Sequence, residues 1–337
     1  MKQLYVQRWL GRNINCFISI QKEFILKIAY IRPNFSGEKR VGLLPQHLKY
    51  CHPEDERRFE KNYGAALGIS DKSYGKDCGY TRDSLFDWAD VIYCIKIPED
   101  QDLFREKQGF VGWIHPTGSG KQFMENCVQK KKLIAFDITN RISTRFIDNK
   151  GKTLNIDRDI TIKNSILAGY ASVMHAVLLR GGITKDEKVA IFGSGNVAYG
   201  AIKYLAHLGI DPVLRRRSNL DQFENEFPDY DIFINAVEIN ENDKAIVNQD
   251  MINAMKPNAW IIDAAADAGR AIENTQYTSI DSPIYQDAQG HTFYVVNNSP
   301  SLLYRESSQF VSKGYAKHFW SKPMKYWYSD DCLKEVI

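Results

Sequence analysis

The sequence is short of several features that would narrow its function at once. It has six cysteines among 337 residues. Cys16, Cys51, Cys78, Cys94, Cys127 and Cys332 form no C-x-x-C pair and show no metal-ligand spacing. That excludes a disulfide scaffold and a zinc cluster, and fits reduced thiols in a cytoplasmic protein without a metal. No charge sign dominates either: 44 Lys and Arg stand against 41 Asp and Glu, for a net charge of +3. The basic residues are dispersed, so nucleic acid is not the expected partner. No apolar run reaches the roughly 18 residues of a membrane span, so no membrane association is expected. Residues 1–25 carry Lys2, Arg8 and Arg12, then an apolar stretch Ile14–Ile20 broken by Asn15 and Cys16. With no small-x-small cleavage site after it, this reads as an N-terminal extension and not as an export signal. Repeats and low-complexity segments are also missing.

What is present is ordinary globular composition, 44% hydrophobic and 25% charged. The length predicts two domains. The clearest unit begins at Lys188. Val189-Ala190-Ile191-Phe192 reads as a buried parallel strand. Gly193-Ser194-Gly195 ends it, and Val197, Ala201, Tyr204, Leu205 and Leu208 then recur at helical spacing up to Gly209. Asp211–Leu214 follows as a second strand, which completes a strand–helix–strand unit. Asp231–Asn235 and Ala259–Asp263 extend the same sheet. Helices are expected over Asn164–Arg180 and Pro300–Trp320, and an earlier set of strands around Leu26–Ile31 and Val91–Ile95.

The turn Gly193-x-Gly195-x-x-Ala198 fits the G-x-G-x-x-G/A pattern of dinucleotide sites. The first glycine allows a tight turn, the second lets a pyrophosphate approach the backbone, and the small third residue lets helix and strand pack closely. Gly193, Ser194, Gly195, Asn196, Val197 and Ala198 are therefore the expected cofactor contacts, with the amides at the helix start aimed at the phosphates. An NAD site normally has Asp or Glu after the second strand, for the ribose 2′-hydroxyl. Here Arg215-Arg216-Arg217-Ser218 stands in that place. A guanidinium fork matches a 2′-phosphate, so NADP(H) is expected, held by Arg216 and Arg217. A merely solvated basic loop is the alternative.

Four polar residues stand beside apolar strands: Arg40 after Gly37-Glu38-Lys39, Lys96 before Ile97-Pro98, His115 before Pro116, and Asp267 four residues after Asp263. Each alone has a bland explanation as a solvated charge, a structural histidine or a helix cap. A P-loop reading of Gly118-Ser119-Gly120-Lys121-Gln122 fails, because His115 and Gln122 occupy positions that need Gly and Ser/Thr.

Taken together, Gly37-Glu38-Lys39-Arg40-Val41, Lys96, His115 and Asp263-x-x-x-Asp267 resemble the alanine dehydrogenase and saccharopine dehydrogenase superfamily. Longer segments resemble the N5-(carboxyethyl)ornithine synthase family in particular. They include Gly112–Gly120, Ala168-Gly169-Tyr170-Ala171, Asp263–Gly269, Thr278–Tyr285 and Pro300–Arg305. The N-terminal 25 residues have no counterpart in the resemblance, and the arginine loop is more basic than expected.

The resemblance implies an α/β fold with two Rossmann-like domains. An NADP-binding domain, residues 164–299 with its linking helix, would be inserted into a discontinuous substrate domain, residues 26–163 plus 300–337. It implies NADPH-dependent condensation of pyruvate with the side-chain amine of ornithine, or of lysine, through an imine. It also implies a homo-oligomer such as a tetramer. Arg40 would hold the pyruvate carboxylate bidentately. Lys96 would be a second cation, partly desolvated and able to exchange protons. His115, with a pKa near working pH, would protonate the leaving oxygen. Asp267 would orient His115 or bind near the nicotinamide ribose. Alanine dehydrogenase and saccharopine dehydrogenase activities are the nearest alternatives, and a non-catalytic NADPH sensor is a third.

Overall fold

Strand residues alternate between the two faces of a sheet, and that alternation divides this chain's apolar residues among four cores. The computed structural model describes residues 25–139, 143–148, 150–156, 159–239, 243–266 and 269–334. The first sheet contains β1 (Lys27–Tyr30), β2 (Glu56–Glu60), β3 (Cys78–Tyr80), β4 (Val91–Lys96), β5 (Gly109–Trp113), β6 (Ile134–Asp137), β7 (Thr144–Ile147) and β8 (Lys150–Thr153). Their order is β3-β2-β1-β4-β5-β6-β7-β8. The first six are parallel, and β7 and β8 add antiparallel edges.

The second sheet contains β9 (Val189–Phe192), β10 (Val213–Arg215), β11 (Ile232–Asn235), β12 (Trp260–Asp263), β13 (Ile284–Gln286) and β14 (Thr292–Tyr294). Its order is β10-β9-β11-β12-β14-β13, parallel except for β13. Both sheets are Rossmann-like. In each the strand order reverses at one point, between β1 and β4 and between β9 and β11, and ligands bind beyond the carboxyl ends of the strands at such a point.

Ile28 and Tyr30 of β1 share one core with Val91, Tyr93 and Ile95 of β4. Ala29, Ile31, Ile92 and Cys94 enter the core on the other face. β9 divides likewise, Val189 and Ile191 to one core and Ala190 and Phe192 to another. The C-terminal segment returns to the first sheet: Val311, Tyr315, Phe319, Trp320 and Trp327 lie in the same core as Ile28 and Tyr30. The five cysteines among the described residues are all free.

Three long helices frame the sheets: α1 (Asp159–Arg180), α2 (Asn196–His207) and α3 (Tyr304–His318). The Ile160–Arg180 part of α1 is long and apolar enough to cross a membrane by length and composition, although no uninterrupted apolar run marks it in the sequence. One side of it packs inward, with Ala171, Val173, Ala176 and Val177 buried, while Ile162, Leu178 and Leu179 are exposed. α1 and α2 touch backbone to backbone. A Cβ on Gly169 would lie 1.9 Å from the Val197 carbonyl oxygen, and one on Gly200 would lie 1.9 Å from that of Ile166. Only glycine permits this approach, and it fixes where α2 begins.

The expected helix over 300–320 starts instead as a 3-10 turn, Ser299–Leu303, before α3. Arg215, read as loop, closes strand β10.

Candidate active site

The carboxyl ends at the two reversal points open onto one cleft of about 530 Å³. Arg40, Lys96 and His115 line it from the first sheet; Ser194–Val197, Ala236–Glu238 and Ala264–Ala266 line it from the second.

Arg40 follows β1 and is 1% exposed. Its Nε donates to Glu38 Oε1 at 2.7 Å and its NH2 to Oε2 at 2.5 Å. NH1 donates to Asn164 Oδ1 at 3.2 Å, and the guanidinium lies 4.6 Å from the centre of the Trp113 ring. The Nε–NH2 edge of the guanidinium is therefore taken by Glu38. A guanidinium has five N–H donors, and the three bonds leave two of them, on the terminal nitrogens, for a ligand. Burial pushes the Glu38 carboxyl up, but the charge and hydrogen bonds of Arg40, joined by the Lys96 charge, outweigh it and hold the group below its ordinary value.

Lys96 is the last residue of β4 and is 6% exposed. Its Nζ lies 3.5 Å from the Asn297 carbonyl oxygen and 5.7 Å from the centre of the Phe35 ring. Burial, then repulsion from Arg40, lowers its pKa to about 8, with Glu38 and Asp137 opposing the shift. The expected desolvated lysine is present.

His115 sits two residues past β5 in the left-handed region, at φ 53. Non-glycine residues seldom adopt that region, and they do so where surrounding structure forces it. The force here is visible. Asp137 Oδ1, at the end of β6, accepts the Ile114 N–H at 3.0 Å and the Thr139 N–H at 3.1 Å. The His115 carbonyl accepts the N–H groups of Gly118 and Gly120, each at 3.0 Å. Burial, Lys96 and Arg40 drive the His115 pKa down to about 3. The expectation of a pKa near working pH is thus wrong for the free cleft: the imidazole is neutral, because two cations share its desolvated space.

On the facing side, Gly193 has φ 128, and a Cβ there would meet Val237 Cγ2 at 2.8 Å. Its N–H donates to the Arg215 carbonyl at 2.8 Å, tying the turn to β10. α2 starts after Gly195 without a side-chain cap, so its first amides keep their donors for a ligand. A Cβ on Gly195 would meet nothing within 4 Å. Ala198 is fully buried. An open cradle of backbone amides over a glycine fits a pyrophosphate.

Of the three arginines, Arg215 is committed: its NH2 lies 2.5 Å from Glu226 Oε2. Arg216 and Arg217 are exposed, with Arg217 NH2 3.6 Å from Asp243 Oδ2. Asp267 lies outside the described residues. Its neighbour Ala266 has φ 48 and donates its N–H to Asp263 Oδ1 at 2.9 Å. His115 and Ala266 thus line the cleft from opposite sheets, both in the left-handed region.

Glu38, Asp137, Asn164 and Asn297 were not singled out from the sequence. Glu38 stood inside the recognised motif and Asp137 ends an apolar strand as Asp263 does; Asn164 and Asn297 carried no local signal.

Residues 211–326 match the alanine dehydrogenase/PNT C-terminal domain family. The N(5)-(carboxyethyl)ornithine synthase of Clostridium botulinum is 40% identical over 318 residues, covering 92% of this chain and 98% of the relative. That of Lactococcus lactis is 38% identical over 302 residues, covering 88% and 97%. Among solved structures, an L-alanine dehydrogenase superposes with a TM-score of 0.69 at 20% identity, covering 91% of this chain and 93% of the other.

Proposed function

The chain belongs to the N(5)-(carboxyethyl)ornithine synthase family, within the alanine dehydrogenase superfamily, and from this premise we propose that it condenses pyruvate with the side-chain amine of ornithine, or of lysine, and reduces the imine with NADPH. One observation carries the reading: Arg40, Lys96 and His115 share a cleft with Ser194–Val197 of the glycine turn.

The chemistry balances as follows. The neutral amine attacks the keto carbon and forms a C–N bond. The carbinolamine gains a proton and loses water to give the imine. Hydride and the proton on nitrogen complete the secondary amine, so one proton is consumed overall. The bound nicotinamide supplies the hydride. The free N–H groups of Arg40 and the Lys96 ammonium hold the keto acid's carboxylate and oxygen. Lys96, with a pKa of about 8, carries a proton at neutral pH and gives it to the leaving oxygen. Neutral His115 donates a hydrogen bond to the same oxygen and needs no charge to do so. Asp137 holds the His115 turn in place.

Arg216 and Arg217 hold the 2′-phosphate, and Asp267 orients His115 or the nicotinamide ribose. The substrate domain comprises residues 26–163 and 300–337, with the cofactor domain 164–299 between them. The enzyme is cytoplasmic and a homo-oligomer; exposed Ile162, Leu178, Leu179 and Tyr199 on α1 and α2 offer apolar surface for a second copy.

The test is oxidation of reduced nicotinamide by the purified chain. Pyruvate with ornithine and NADPH should give the fastest turnover. Faster turnover with ammonia would move the activity to alanine dehydrogenase, and no turnover with any amine would leave a binding protein.

A further inference from the structure

Beside the main cleft lies a second cavity of about 250 Å³. Lys96, Trp113 and Asn297 line both, so the two adjoin at the residues that would surround the keto acid. Phe35, Ile97 and Phe123 give this side pocket apolar walls, and Glu99, Ser119 and Gln122 give it polar ends.

Resting on the functional reading above, we propose that this side pocket binds the amino-acid end of the amine substrate, with Glu99 recognising the α-ammonium group. An amine such as ornithine has two ends with opposite needs. Its side-chain nitrogen must reach the keto carbon without a charge, beside Arg40 and Lys96. Its α-ammonium group is a cation, and the same two cations would repel it from the keto-acid subsite. Glu99 is the one carboxylate among the described residues that line the side pocket, and it is exposed to a ligand entering there.

The reach agrees. Four bonds separate ornithine's side-chain nitrogen from Cα, an extended span of about 5 Å. Glu99 follows Lys96 by three residues, at most about 10 Å of chain. The methylenes between would lie against Phe35, Ile97 and Phe123, where apolar contact is favourable. The α-carboxylate would meet the neutral donors of Ser119 and Gln122. The pocket thus sorts amines by what they carry at the far end, a property that ammonia cannot use.

The competing location is Glu238, which lines the main cleft on the cofactor side. The experiment compares ornithine with 5-aminopentanoate, which lacks only the α-amino group, in the wild type, Glu99→Gln and Glu238→Gln. Glu99→Gln should lower the ornithine to 5-aminopentanoate ratio of kcat/KM by about ten- to a hundredfold, the effect of one charge-assisted contact. Glu238→Gln should leave the ratio where it is. An active enzyme whose ratio does not move in Glu99→Gln, or moves in Glu238→Gln instead, overturns the side pocket while keeping the functional reading. A wild type that turns over neither amine overturns the functional reading itself.

Discussion

Arg40 and Glu38, two residues apart, form a buried fork in which both carboxylate oxygens accept from one guanidinium, at 2.7 and 2.5 Å. Both side chains are almost wholly excluded from solvent. The pair sits beside Lys96, so Glu38, with a smaller contribution from Asp137, offsets two cations in a desolvated space. This arrangement governs the charge on the side of the cleft proposed to hold the keto acid.

Glu38→Gln keeps the shape and removes the counter-charge. Breaking a buried pair from one side costs about 3–5 kcal/mol, and urea denaturation should show a loss of that order. Because the Glu38 pKa is depressed on folding, its contribution is present above the carboxylate range and vanishes as pH falls through the folded value. The variant's stability should therefore depend less on pH in acid than the wild type's. A midpoint equal to the wild type's at pH 7 would remove Glu38 as the balancing group.

Burial and Arg40 lower the Lys96 pKa to about 8, and in the proposed reaction the protonated form is the one that binds and donates. kcat/KM for pyruvate should decline as pH rises through about 8. Lys96→Arg should move this limb upward and keep keto-acid binding, at reduced turnover. Lys96→Met should abolish turnover and raise stability by about 1–3 kcal/mol, since it removes a cation that burial disfavours. A pH profile flat from 7 to 10 would exclude Lys96 as the proton donor.

His115→Ala should lower turnover by roughly 10²–10⁴-fold, the range for one group that handles a proton or its hydrogen bond. His115→Gln, which retains an N–H donor, should recover part of this. With the imidazole pKa at about 3, the free enzyme should show no limb near 6.5 in its kcat/KM profile. A titration there that disappears in His115→Gln would return the histidine to the role of a charged acid.

Replacing Arg216 and Arg217 together with Ala should raise the KM for NADPH by about 10- to 100-fold, the worth of one or two charge-assisted contacts, and leave that for NADH nearly unchanged. Arg215→Ala should instead lower stability, because Arg215 is held by Glu226. Equal effects on both cofactors would assign the loop a structural part only.

Much of the second sheet was readable because buried parallel strands leave short apolar runs: β9, β11 and β12 appear as such, and the turn after β9 has its own glycine spacing. The first sheet was less readable. β2, one strand in from the edge, reads Glu-Arg-Arg-Phe-Glu, and the edge strand β8 reads Lys-Gly-Lys-Thr; strands at this margin of a sheet keep polar residues and carry no such run. Arg40, Lys96 and His115 could be nominated, since each follows or ends an apolar strand. Asn164 and Asn297 could not, because a polar residue on a helix or loop acquires meaning only from what folds against it.

The glycine turn, and with it a dinucleotide as ligand, was determined by sequence alone, because the motif acts through the backbone of six consecutive residues. The position of α2 behind that turn already needs the fold, through the contact of Gly169 and Gly200 with the facing helix. The protonation states of the cleft needed it most. A histidine's letter carries a pKa near neutrality; its value here follows from burial beside Lys96 and Arg40, residues 19 and 75 positions earlier in the chain. Electrostatic energy depends on distance and desolvation, and only the tertiary structure brings those charges together.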